Sequence, residues 1–224
     1  MVTQAAGRRV PAVCCAVLLL FAASATPIRS LEAADTPFKL LATRPDRDPE
    51  QLWRLQVRLL DIAEAKLGPR DESKRIYRPS FDPDGPHIRN TPSLDGAFAE
   101  LSHGARSDWR ISVYQLAHET VHLLNPTVGQ SATVFEEGIA VEFSVIAQVA
   151  LGQSTIVPID DRYKAALQAV RRLPDDPFVV ARRIRDRHGS LKGISVEDLQ
   201  HAAPGLDRMQ ARLLLQPFHP DGTD

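Results

Sequence analysis

Past residue 48 the apolar positions are spaced mostly at helical intervals. Leu52, Leu55, Leu59, Ile62 and Leu67 recur every three to five residues and predict one amphipathic helix. Asp48 can cap it, Pro49 suits its first turn, Gln51 stands at the capping-box position, and Gly68-Pro69 stops it. Between Ile76 and Leu101 the chain is rich in Pro, Gly, Asp and Asn. Residues 75–78 and 87–91 read there as short strands, and 97–101 fit either a strand or a helix. From Ser107 onward the pattern is almost wholly helical. It predicts a helix from 108 or 109 to 124, a second over 133–151 stopped by Gly152, and later ones over 160–173, 177–187, 195–201 and 206–215.

The first residues break this pattern. Arg8 and Arg9 precede an apolar stretch at 10–22, and Ala23-Ser24-Ala25 fits a small-x-small cleavage site. Residues 1–25 therefore read as a signal peptide, which predicts an exported chain, periplasmic or secreted, with no stable membrane association after cleavage. Both cysteines, Cys14 and Cys15, lie inside that segment, so residues 26–224 offer neither a disulfide nor a thiolate. Residues 26–47 read as an extended lead-in to a single domain.

Composition narrows the choice. The chain has 27 Lys and Arg against 28 Asp and Glu, a formal net charge of −1. That balance gives no electrostatic footprint for nucleic acid. Basic residues at 171–172 and 182–187 alternate with apolar ones and read as a solvated helix face. There is no Gly-rich phosphate loop and no Ser-centred nucleophile elbow.

The chemistry is concentrated in Leu116-Ala117-His118-Glu119-Thr120-Val121-His122. On a helix, His118 and His122 stand on one face, one turn apart, where both imidazoles can reach a single metal ion. Glu119 lies about 100° around that helix, beside the ion, where it can take a proton from a metal-bound water. Apolar flanks make two imidazoles and a carboxylate costly to bury without such a partner. Two histidines leave a catalytic zinc site one protein ligand short.

The next acids stand in Thr133-Val134-Phe135-Glu136-Glu137-Gly138-Ile139-Ala140. H-E-x-x-H followed by E-G-x-A resembles the gluzincin branch of the zincin metallopeptidases, over roughly residues 109–145. The resemblance implies that Glu137 is the third metal ligand, that Zn2+ is the cofactor and that the substrate is a peptide or protein. It also implies an α+β, zincin-like fold, with a small sheet N-terminal to the H-E-x-x-H helix and a mainly helical C-terminal half. Thr133-x-x-Glu136 matches a capping box, which gives Glu136 a local role and favours Glu137 as ligand, with Glu136 the alternative. Small residues at 138 and 140 suit a close approach of helices.

Two departures stand out. Only 14 residues separate His122 from Glu137, which requires a compact loop, and Val141 occupies the position where some members carry a histidine-orienting acid, leaving Glu142 the nearest. The metzincin branch is excluded, because Asn125 and Val128 replace its Gly and third His. Tyr163, His188 and His201 are candidate donors to a reaction oxyanion, while Tyr114 suits packing and His103 an unspecialised loop. The alternative function is a zincin-like metal-binding protein without turnover.

Overall fold

The structure, a computed structural model, describes Lys39, residues 42–156, Pro158 and residues 160–218. The signal-peptide reading of residues 1–25, with Cys14 and Cys15, falls outside these residues. The described residues lie in one unit, Pro37–Asp224. The architecture is α+β, a small mixed sheet followed by a mainly helical C-terminal half.

After a 3-10 turn at Pro45–Arg47, helix α1 spans Pro49–Leu67. Asp48 Oδ1 accepts the Gln51 backbone N–H at 2.9 Å, and Gly68 leaves the helix at φ +91°. Leu52, Leu55, Leu59, Leu60, Ala63 and Leu67 are its buried stripe.

Four strands follow, β1 (Arg75–Ile76), β2 (Ser80–Phe81), β3 (His87–Asn90) and β4 (Gly96–Leu101). The segment left open between strand and helix becomes the central strand β4, with Ala97, Ala99 and Leu101 fully buried. β1 and β2 run parallel to it on one side, and β3 runs antiparallel on the other. The strand expected at 75–78 stops at Ile76. The pairs Ile76↔Ala97 and Ser80↔Glu100 enclose one more residue on this side than on β4. Pro79, which has no N–H for the ladder, sits in that interruption.

Helix α2 spans Trp109–Leu123, capped by Asp108, whose side chain accepts the Arg110 N–H. Helix α3 spans Val134–Ala150, capped by Thr133. The remaining helices are α4 (Asp161–Arg171), α5 (Pro177–His188), α6 (Val196–Ala202) and α7 (Arg208–Leu214). α7 starts two residues later than the periodicity implies, because Asp207 accepts from Met209 N and Gln210 N and so caps the helix there. Among the described residues no helix is long and apolar enough to cross a membrane.

One apolar core runs through all layers. α2 lies at its centre, against α1, β4 and α3, and α3 packs in turn on α4. The basic face of α5 is not wholly solvated. Arg185 is 6 % exposed, and its guanidinium donates to Leu67 O, Pro69 O and Asn125 Oδ1. It thus ties the ends of α1 and α2 to α5, just beyond His122. The last described residues, Gln216–Phe218, run beside residues 132–134, where Val134 N donates to Gln216 O and Phe218 N to Ala132 O.

The close approach anticipated at Gly138 is made with α4. A Cβ built there would stand 2.5 Å from Val170 Cγ1 and 2.6 Å from Ala166 O. Gly138→Ala should therefore lower unfolding free energy by about 1 kcal/mol or more in urea denaturation, although alanine is the better helix former by about 1 kcal/mol. A neutral or stabilised variant would contradict this packing.

Candidate metal centre

The two histidines of α2 occupy adjacent turns of one face, with ring centroids 5.2 Å apart and planes tilted by 58°. Their Nε2 atoms are 3.4 Å apart. The first turns of α3 bring Glu137 against both rings, with Oε2 3.0 Å from His118 Nε2 and Oε1 3.4 Å from His122 Nε2. His118, His122 and Glu137 form a buried group able to hold a metal ion.

The donor set fits a small divalent cation. Ligand bonds of about 2.0–2.1 Å at tetrahedral angles separate ligand atoms by about 3.3 Å, close to the three spacings found here. Glu137 Oε2 is buried and makes no hydrogen bond despite its proximity to His118 Nε2. An acceptor oxygen and a ring nitrogen facing each other without hydrogen-bond geometry suit lone pairs directed at a shared cation.

His122 is anchored from behind. Its Nδ1 lies 2.8 Å from Glu136 Oε1. Donation from Nδ1–H to that carboxylate leaves the Nε2 lone pair turned toward Glu137 and His118. This corrects the local role assigned to Glu136. The Thr133 hydroxyl accepts the Glu136 backbone N–H at 3.2 Å, but the Glu136 side chain turns to His122, so only half of a capping box forms. Glu142 does not take part, since it pairs with Arg171 at 2.7 Å.

Electrostatics follow from burial and the crowding of carboxylates. Burial opposes a charge on His122, but Glu137, Glu136 and Glu119 outweigh it, and without a cation the imidazole is pushed up to about 9. Burial raises the Glu137 carboxyl, yet the imidazoles of His122 and His118 hold it below the usual carboxylate range. Glu119 is 2 % exposed and makes no hydrogen bond or ion pair among the described residues. Burial pushes its carboxyl upward, against the pull of His118 and His122. His87 on β3 also acts on Glu119, a neighbour that nothing in the linear spacing singles out.

Of the three candidate oxyanion donors, one reaches this site. Tyr163 on α4 sets its ring edge-on to His118 at 5.7 Å and packs against Phe218 at 4.7 Å with the planes tilted by 49°. Burial, with Glu137 and Glu119, raises its phenol above the usual tyrosine value. His188 and His201 do not reach it. They line a separate cavity of about 540 Å³ with residues of α5 and α6, and His188 pairs there with Asp198 at 3.1 Å. The reason is packing, since α4 lies against the ligand-bearing helix α3, whereas α5 lies mainly against α1 and α6, and α6 against α5 and α7. Tyr114, one turn before His118, is half-buried, and its phenol is raised by burial and by Glu137. His103 is exposed in a 3-10 turn.

No protein-family model, curated protein or solved structure matches this chain.

A pH dependence follows for the metal-free protein. The His122 value in the fold, about 9, exceeds its ordinary 6.5, so protonation favours folding. That contribution is complete below pH 6.5 and is lost as pH rises through 9. In chelator, the stability difference between wild type and His122→Gln should shrink from pH 6 to pH 9.5, read as Tm. A difference independent of pH would contradict the assigned environment.

Proposed function

We propose that this chain is a zinc-dependent metallohydrolase of the zincin type that cleaves peptide bonds. The observation that carries the reading is the convergence of His118 Nε2, His122 Nε2 and the Glu137 carboxylate, next to a buried Glu119 that makes no hydrogen bond or ion pair among the described residues. A group of that composition would leave one position of a four-coordinate zinc for solvent.

Zinc held by His118, His122 and Glu137 would lower the pKa of its water to about 7 and polarise a carbonyl oxygen. The chain's own residues do the rest. The Glu119 carboxylate would take a proton from the attacking water as its oxygen bonds to the carbonyl carbon, and would deliver it to the amine nitrogen as the C–N bond breaks. Its burial matters because raising the carboxyl above its ordinary range makes it a better proton acceptor. Glu136 keeps the His122 ring in the tautomer that points its lone pair inward. The Tyr163 phenol, kept protonated by burial and neighbouring carboxylates, donates a hydrogen bond to the developing oxyanion. Among the described residues β3 pairs only with β4, so its other edge is available to an extended peptide substrate. Export is proposed on the pattern of residues 1–25 alone.

Three variants test the reading with purified protein and a broad peptide library. Glu119→Gln should lower kcat by about 10²–10⁴-fold while zinc content stays at one per chain. Tyr163→Phe should lower kcat by about 10²-fold with little change in KM. His122→Ala should lose stoichiometric zinc. A wild-type chain that holds zinc yet cleaves nothing would instead support a metal-binding protein without turnover.

A further inference from the structure

Lys192 lies in the loop between α5 and α6, far in sequence from the histidines, yet its side chain is only 10 % exposed. Its ammonium is 3.9 Å from Glu136 Oε1 and donates to Gln130 O, in the loop joining α2 to α3, at 3.5 Å. Glu136 Oε1 is the same atom that lies 2.8 Å from His122 Nδ1. A lysine gains nothing from such burial unless a carboxylate answers its charge. Here the local charge is lopsided. Glu119, Glu136 and Glu137 place three carboxylates around two imidazoles, and a divalent cation balances two of them. One positive charge is wanting. Arg185 also acts on Glu136 but makes no ion pair with it, and Lys192 is the nearly buried cation that stands within 4 Å.

We propose that Lys192 is a positioning residue for the metal centre, acting through Glu136 to hold the His122 ring in its metal-binding orientation. The inference rests on the metal-site reading above. The ammonium draws Glu136 Oε1 against the back of the ring, and its bond to Gln130 O pins the loop that sets α3 against α2. Its charge also acts on Glu137. The cation–carboxylate–imidazole series thus links the α5–α6 loop to the metal, although no H-E-x-x-H or E-G-x-A spacing reaches that loop.

The test is a double-mutant cycle on zinc affinity, by chelator competition, with the visible spectrum of the cobalt-substituted full chain as a second readout. Lys192→Met should weaken zinc binding about tenfold and shift the cobalt bands, and Lys192→Arg should restore both. In a Glu136→Gln background, Lys192→Met should change affinity less than twofold. If Lys192→Met does not fold, Lys192→Gln takes its place, with Tm of the metal-free protein as the folding control. Equal effects in both backgrounds, or a lowered Tm with unchanged affinity and spectrum, overturn the proposal. Unchanged zinc binding in His122→Ala and Glu137→Ala overturns the metal site itself. Weakened binding in those two variants alone overturns only the role of Lys192.

Discussion

The structure depends on how the start of α3 is set against the inner face of α2. Two imidazoles of α2 and two consecutive carboxylates of α3 are buried together, with His118, His122, Glu136 and Glu137 each less than a tenth exposed. Charges taken out of water at that density are unfavourable unless each is answered within a few ångströms. Glu136 answers His122 from behind, and Glu137 faces both rings from the front. Among the described residues one oxygen each of Glu136 and Glu137 makes no hydrogen bond, and Glu119 makes neither a hydrogen bond nor an ion pair.

Much of the surrounding fold serves to keep those two helices at that distance and phase. Gly138, one residue after Glu137, lets α4 press against α3 and carries Tyr163 to the edge of His118. Arg185 gathers the ends of α1 and α2 onto α5 through neutral acceptors. On the far face of α2, Thr120 donates to Leu116 O and accepts from the buried Gln56 of α1, which fixes the roll of the helix that carries both histidines. The last described residues, Gln216–Phe218, lie along the entry to α3 and cover Tyr163.

The helices were legible because period and punctuation agreed. Asp48, Asp108, Thr133 and Asp160 all cap helices where the apolar periodicity begins. The sheet is harder to read, because its longest strand is central and buried on both faces, Glu100 included, and a short strand of that kind carries no alternation. In the site, His118 and His122 followed from helical spacing, since both stand on one helix. The anchoring role of Glu136 is not legible in the sequence, because a capping box and a histidine anchor ask for the same residue type and only the direction of the side chain separates them. Tyr163 could not be told from His188 or His201 by sequence, since which later helix reaches α3 is a matter of tertiary packing. Lys192 and His87 left no linear signal, because each comes to the site from a segment with no motif of its own.

The central claim is that two imidazoles and a carboxylate from α2 and α3 close around one metal ion. X-ray absorption at the zinc edge on the purified, zinc-loaded chain addresses it most directly. The account predicts one zinc per chain, with two imidazole nitrogens and light oxygen ligands in a shell at about 2.0–2.1 Å. Absence of stoichiometric zinc, or a shell without imidazole scattering, would contradict it.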